Sequence, residues 1–273
     1  MTIIETIHKR QSWRTFLPKQ LEPEKTGLLR DFMSLNTRSV FGSVVRCELM
    51  DFKVTPVNLL KTLGAYSVIK DAKVFMAGCV KNSEKCLEDF GYIMEKNVLK
   101  AVELGFATCW LGASSNRNGF SEMMKCAPDE IVPAVSPVGY AAEKRRLADS
   151  LMRKVANSDT RKHLFEISFR GDFYDSRVPE NKYKTVLECV KLAPSATNQQ
   201  PWRFLRETDG DIFHLFLERT KDYTYKAGQN IDMGIAMAHF ELAANELGLK
   251  GSWTQDKPDV DAGDREYVAT WKP

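Results

Sequence analysis

Two short segments of this chain gather side chains that could do chemistry, and they lie far apart. In Arg10-Gln11-Ser12-Trp13-Arg14-Thr15-Phe16, two arginines and a serine stand at alternate positions. In an extended stretch alternate side chains point to one side, giving two forked cations and a hydroxyl, a set suited to bidentate pairing with phosphate. A solvated basic turn after a first helix has the same composition, so these residues alone leave both readings open. The second segment is Leu192-Ala193-Pro194-Ser195-Ala196-Thr197-Asn198-Gln199-Gln200-Pro201-Trp202. Its two prolines bracket small and amide residues, which makes a stiff loop with donors and acceptors for a flat heteroaromatic edge or a polyol chain. A helix stop and turn with Trp202 in the core fits it equally well.

Other chemistries find little support. Neither a P-loop nor G-x-G-x-x-G is present, and the four histidines show no metal-ligand spacing such as H-E-x-x-H. The net charge is +3, from 39 Lys+Arg against 36 Asp+Glu. That balance is too even for a nucleic-acid footprint, though a local basic cluster for one small anion fits it. At 43% hydrophobic and 27% charged residues, the 273-residue chain has the composition of a soluble globular enzyme. The longest apolar stretch, around Val74–Val80, is far short of the ~20 residues needed to span a bilayer, and the N-terminus has no secretory pattern. Six cysteines form no C-x-x-C pair and are expected as buried free thiols in a reducing cytoplasm.

The elements that must position the two segments repeat within the chain. At a fixed offset of 143 residues, Asp89, Gly91, Met94, Leu99, Ala101, Glu103, Leu104, Gly105 and Trp110 recur as Asp232, Gly234, Met237, Leu242, Ala244, Glu246, Leu247, Gly248 and Trp253. These are nine identities in 22 ungapped positions, where average composition gives roughly one or two. The chain is a duplication. Both copies have helical periodicity, with Gly105 placed to end the first in a left-handed cap. The second copy is apolar over most of its circumference, as a helix buried on most sides is.

Each half is compatible with one α+β unit. In the first, helices are expected at the N-terminus and around Thr26–Met33, with strands at Lys73–Val80 and around Val132–Gly139. In the second, a helix around Tyr183–Leu192 precedes strands at Ile212–Leu217 and Glu266–Trp271. Leu164–Phe169 reads as a strand joining the halves, with the boundary near 160–168. The stretch 35–63 gives no clear signal.

Arg10-x-Ser12-x-Arg14-x-Phe16 resembles the R-x-S-x-R-x-F opening of the nitroreductase family. Ala193-Pro194-Ser195-x-x-Asn198-x-Gln200-Pro201-Trp202 resembles that family's A-P-S-x-x-N-x-Q-P-W segment. The repeated helix, then Trp110-Leu111-Gly112 and Val138-Gly139-Tyr140, follow in the family's order. Arg161-Lys162-His163-Leu164-Phe165-Glu166 is similar to its basic tail, with His163 where proline is usual. The resemblance covers most of the chain outside 35–63. It implies an α+β nitroreductase-like fold of two tandem α/β halves, residues 1–165 and 166–273, related by pseudo-two-fold symmetry.

Members of that family usually carry one copy per chain and form homodimers, each subunit giving half of two FMN sites, and this chain most resembles a tandem, single-chain branch of the family. Here the first half keeps the arginine segment and the basic tail but lacks the A-P-S-x-x-N loop. The second half keeps the loop, but Asp172 and Tyr174 stand where its serine and second arginine belong, and it has no basic tail. The resemblance therefore implies one complete FMN site within one chain, which should act as a monomer. It gives Arg10, Ser12, Arg14, Arg161 and Lys162 to the FMN phosphate, with Arg145 and Arg146 as rivals for Arg161. Pro194, Ser195, Ala196, Thr197 and Asn198 would line the flavin, with Gln200 supporting the loop or the ring. Backbone N–H groups at Leu111 and Gly112 would face the flavin N5 edge, and Trp110 would wall the pocket or pack in the core. No side chain need be catalytic and no metal is called for, because the flavin carries the chemistry. NADH or NADPH would be the donor and a small electrophile such as a nitroaromatic or quinone the acceptor, in ping-pong order. A flavin-binding or flavin-free sensor or scaffold without turnover is the alternative.

Overall fold

In the computed structural model, which describes residues 1–62, 69–112, 119–144, 146–155 and 157–273, each repeated helix backs its own six-stranded sheet. The first half contains helices α1 (Ile3–Lys9), α2 (Pro23–Leu35) and α3 (Val57–Thr62), the long α4 (Cys86–Glu103), and α5 (Gly119–Met123) and α6 (Leu147–Val155). Its strands are β1 (Val45–Asp51), β2 (Val74–Lys81), β3 (Ala107–Thr108), β4 (Leu111–Gly112), β5 (Glu130–Ile131) and β6 (Ala134–Gly139). They run in the order β1-β2-β6-β3, with β4 on β6 and β5 on β2.

The second half contains α7 (Leu164–Ile167), α8 (Tyr183–Lys191) and the long α9 (Lys226–Glu246). Its strands are β7 (Ser168–Arg170), β8 (Asp172–Ser176), β9 (Trp202–Arg206), β10 (Phe213–Leu217), β11 (Ser252–Thr254) and β12 (Glu266–Lys272), in the order β11-β12-β10-β9-β7-β8. The repeat is thus β2–α4–β3 set against β10–α9–β11. Gly105 and Gly248 end the two helices with φ of 89° and 75°, where glycine meets no Cβ penalty. Phe106 N donates to Ala101 O, and Leu249 N to Ala244 O, closing both helices the same way.

α4 and α9 pack on each other at the centre. From Ile231 to Phe240 every residue of α9 is buried, which explains a sequence apolar nearly all round. Phe204, Phe213, Trp253 and Trp271 surround Phe240, with ring centroids 5.2–5.5 Å away, and anchor α9 to the second sheet.

The structure corrects the sequence reading in two places. Leu164–Ile167 is a short helix, because His163 and Glu166 form a capping box around it, and only Ser168–Arg170 is strand. That strand pairs in parallel with β9, so the joining segment becomes part of the second sheet. Cys79 and Cys126 are bonded as a disulfide, while Cys47, Cys86, Cys109 and Cys189 are free. The weak stretch 35–63 holds β1 and α3, its described part being residues 35–62. Among the described residues, no helix is long and apolar enough to cross a membrane.

Candidate functional site

A capping box of Thr2 and Glu5 starts α1, and at Arg10 the backbone turns extended, with φ −60° and ψ 124°. Trp13 N then donates to Thr108 O at 2.9 Å and Phe16 N to Lys70 O at 3.1 Å, so the segment runs along the first sheet. This extended path brings Arg10, Ser12 and Arg14 to one cavity of about 490 Å³. The cavity lies between the halves. The first half also gives it Gly112 and Arg161, and the second gives it Pro194, Ser195, Ala196, Thr197 and Asn198.

Three expected residues stand outside its wall. Leu111 turns its side chain into the core of the first sheet, leaving Gly112 at the surface of the cavity. Lys162 faces Arg203, Glu218 and Glu166 instead, and burial lowers its pKa, with Arg203 adding to the shift. Gln200 acts behind the loop: Lys162 N donates to its Oε1 at 2.9 Å, and its Nε2 donates to Asn198 O at 3.2 Å. Of the rivals for Arg161, Arg146 does not line the cavity, and Arg145 lies outside the described residues.

The loop is held in a conformation that side chains rarely adopt. Thr197, Asn198 and Gln200 have φ of 48°, 58° and 51°, each costing on the order of 1–3 kcal/mol that the surroundings must supply. Gln200 N donates to Ser195 Oγ at 2.9 Å, and Ala196 N donates to the Asp232 carboxylate at 3.0 Å. The basic tail completes the clamp. Arg161 Nη1 donates to Asn198 Oδ1 at 2.8 Å, and Asn198 Nδ2 donates to Asn157 O and Thr160 O at 2.7 and 2.9 Å. Residues from both ends of the repeat thus meet at Asn198.

The electrostatics favour an anion at one end. Arg10 is only 7% exposed, and burial lowers its pKa against the opposing pull of Glu95. Burial also lowers Arg161, with Arg10 adding to the shift. The Nε atoms of both are buried without a hydrogen-bond partner among the described residues. Two guanidinium groups lining one cavity suit a phosphate, with which arginine pairs bidentately. Arg14 is engaged already, its Nη1 2.9 Å from Asp149 Oδ1. The same cavity is also lined by the apolar Ala134, Ile231, Ile235 and Trp110, which offer a surface for a flat ring, and by Asp232, Tyr223 and Tyr225. Trp110 thus does line the cavity, whereas its repeat partner Trp253 packs among core aromatics.

Sequence reasoning missed Arg153, Tyr223 and Tyr225, which also line the cavity. Arg153 lies four residues after Asp149 on α6 and is paired with Asp159. That i, i+4 spacing beside a basic stretch was the available signal. Tyr225 rests its ring on Gly112, where an added Cβ would come within 2.9 Å of it. Burial pushes the Tyr225 phenol up to about 12.

The counterpart positions form no such site. Arg170, Asp172 and Tyr174 lie in the β7–β8 hairpin, where Asp172 Oδ1 accepts from Tyr174 N and Asp175 N, and none of them lines the cavity. The group of possible metal ligands found among the described residues, Cys79, Cys126 and Glu130, is likewise absent from the cavity wall and contains the disulfide.

The family described as "Putative TM nitroreductase" matches residues 2–244 of the chain. A "putative nitroreductase" structure from Thermotoga maritima is 21% identical with a TM-score of 0.60, covering 99% of this chain and 92% of its own. A nitroreductase family protein from Clostridium difficile is 19% identical with a TM-score of 0.45, over 61% of this chain and 96% of its own. An FMN-dependent nitroreductase from the same species is 20% identical with a TM-score of 0.42, over 52% of this chain and 90% of its own. No curated protein matches the sequence.

Proposed function

The chain belongs to the nitroreductase family, and we propose that it is an FMN-dependent oxidoreductase with one flavin site between its two halves. One observation carries this reading: buried Arg10 and half-buried Arg161 line one cavity together with apolar Ala134, Ile231 and Ile235 and with the Pro194–Asn198 loop of the other half. Arg10 and Arg161, with Ser12 and Arg153 beside them, would hold the phosphate, a charge of about −1.5 to −2 at neutral pH. Arg14 would share its charge between the ligand and Asp149. Ser195 to Asn198 would meet the edge of the ring, and Gly112, against which Tyr225 packs, would stand beside it in the same wall. Ile231 and Ile235 would exclude water from one face.

Held by these residues, FMN would supply electron-transfer chemistry between a nicotinamide donor and a small acceptor. NADH or NADPH and then a nitroaromatic, quinone or similar flat electrophile would occupy the same open face in turn, giving ping-pong kinetics. No side chain of this chain need act as nucleophile. An anaerobic titration tests the reading: NADH or NADPH should bleach the bound flavin, and a quinone or nitroaromatic should restore its colour. A bound flavin that neither nicotinamide bleaches would mean binding without turnover.

A further inference from the structure

Glu95 is a buried carboxylate that the proposed reaction leaves unused. It lies on α4 with both oxygens engaged: Trp110 Nε1 donates to Oε2 at 2.7 Å, and His239 Nε2 of α9 lies 2.9 Å from Oε1. Glu95 and His239 are both 0% exposed. The other ring nitrogen of His239 lies 2.9 Å from Cys189 O, so the imidazole faces an acceptor on each side. Arg10 comes next, with Nε 4.0 Å from Glu95 Oε1. At that distance charge is felt but no hydrogen bond forms, and Arg10 Nε is without a partner among the described residues.

This cluster does not follow the symmetry of the fold. At the repeat offset, Ala238 stands for Glu95 and Lys96 stands for His239. Trp253, the counterpart of Trp110, donates to the Met237 carbonyl at 3.3 Å instead. Among the described residues, the network occurs only beside the cavity that holds Arg10.

A buried carboxylate next to a guanidinium tends to close into a bidentate pair unless its oxygens are held elsewhere. Here closure needs a shift of only on the order of 1 Å to reach hydrogen-bond distance. We infer that His239 is a positioning residue for the phosphate end of the cavity. By holding Glu95 Oε1 it keeps that carboxylate off Arg10, and so leaves the Arg10 donors for a phosphate. The inference rests on the reading of Arg10 as a phosphate-binding residue.

Comparing FMN with riboflavin, which lacks the phosphate, tests it. His239→Leu frees Glu95 to pair with Arg10, so FMN affinity should fall about ten- to hundred-fold, the worth of one charge-assisted bond. Riboflavin affinity should not change, as it would if the fold were merely loosened. Adding Glu95→Gln to that variant should restore FMN binding, because an amide competes poorly for Arg10. Arg10→Ala is the control for the underlying reading and should weaken FMN alone. If Arg10→Ala weakens FMN but His239→Leu does not, or if Glu95→Gln fails to restore it, the inference is overturned while the phosphate assignment stands. If Arg10→Ala leaves FMN affinity unchanged, the phosphate assignment itself fails, and the inference with it. Should His239→Leu lose both flavins through misfolding, Glu95→Gln alone decides. FMN binding at least as tight as wild type supports the inference, and a tenfold loss overturns it.

Discussion

Gly91 and Gly234, equivalent positions of the repeat, each lie against the backbone of the opposite helix. A Cβ on Gly91 would meet Ile231 O at 2.1 Å, and one on Gly234 would meet Glu88 O at 1.9 Å. Glu88 and Ile231 are themselves equivalent positions, so the two contacts exchange under the repeat. Such reciprocity is what a two-fold axis between identical subunits produces, here built into one chain. It also explains why both glycines survive in the two copies, since only glycine permits the crossing.

Gly91→Ala and Gly234→Ala should therefore destabilise the protein to a similar extent. The obstructing atoms are backbone carbonyls, so the helices themselves must separate, at about 3 kcal/mol or more, the upper end of overpacking costs. The double variant should cost less than the sum, because either methyl already forces the helices apart. Denaturant midpoints measure this. Two strictly additive effects would mean that the crossing is not shared.

Flavin affinity should depend on residues from both halves. Arg10→Ala removes a charge-assisted phosphate bond, worth about 1.5–3 kcal/mol or roughly ten- to hundred-fold in affinity. Asn198→Ala breaks the junction between basic tail and loop and should weaken FMN by a comparable factor. Arg170→Ala should leave affinity unchanged, since Arg170 donates to Thr208 O in the hairpin, away from the cavity. Fluorescence titration of the three variants tests the assignment, and equal losses at Arg10 and Arg170 would put the phosphate in the wrong place.

One FMN per chain is expected. Asp89 and Asp232 are repeat partners, but Asp89 accepts from the backbone of Val40, Phe41 and Ser43, whereas among the described residues Asp232 accepts from Ala196 N. The loop of the first half is thus drawn shut on its aspartate, and Tyr174, in place of an arginine, is 91% exposed. Absorbance against protein concentration at saturation should give a ratio of one; a ratio of two would sink the single-site reading.

How much of this was legible from sequence depended on how local each signal was. The paired helices stood out because their buried faces keep apolar residues at helical spacing in both copies, and because Gly91 and Gly234 each meet backbone where a Cβ would stand. The loop at 194–202 was marked by its two prolines, and the arginine segment by strict alternation. Arg153 and Tyr225 gave no comparable pattern, since each reaches the cavity through a tertiary path. The Cys79–Cys126 pair spans 47 residues with no spacing motif, so only folding brings the thiols together. At Leu164–Ile167, apolar alternation suggested strand, but one capping box at His163–Glu166 decided for helix.

Asp232 makes stability pH-dependent in a definite direction. Burial raises its pKa well above the ordinary value of 3.8, against the single hydrogen bond from Ala196 N. A carboxyl with a raised folded-state pKa binds its proton more tightly in the folded protein, so stability is lost as pH rises from about 4 towards that raised value. Asp232→Asn keeps an acceptor for Ala196 N and removes the charge. Relative to wild type it should gain stability progressively over that range, and little below it. Denaturation midpoints measured across the range test this; a variant whose difference from wild type is flat with pH would show that Asp232 does not titrate there.

The chain should work as a monomer. In a homodimer of single-copy subunits, a central helix must find its partner on another chain, and each flavin site waits for that encounter. Here α4 and α9 cover each other through the Gly91–Gly234 crossing, and the joining strand β7 is already paired with β9 in the second sheet. The cavity likewise takes its arginines and its loop from one chain. Tethering through so short a connection sets an effective concentration on the order of millimolar, so association between chains adds nothing that the site needs. Light scattering with FMN bound should therefore give a mass near 31.0 kDa at low micromolar protein. A particle of twice that mass that loses flavin on dilution to single chains would mean that the halves pair between molecules, and that the arginines and the loop of each site come from different chains.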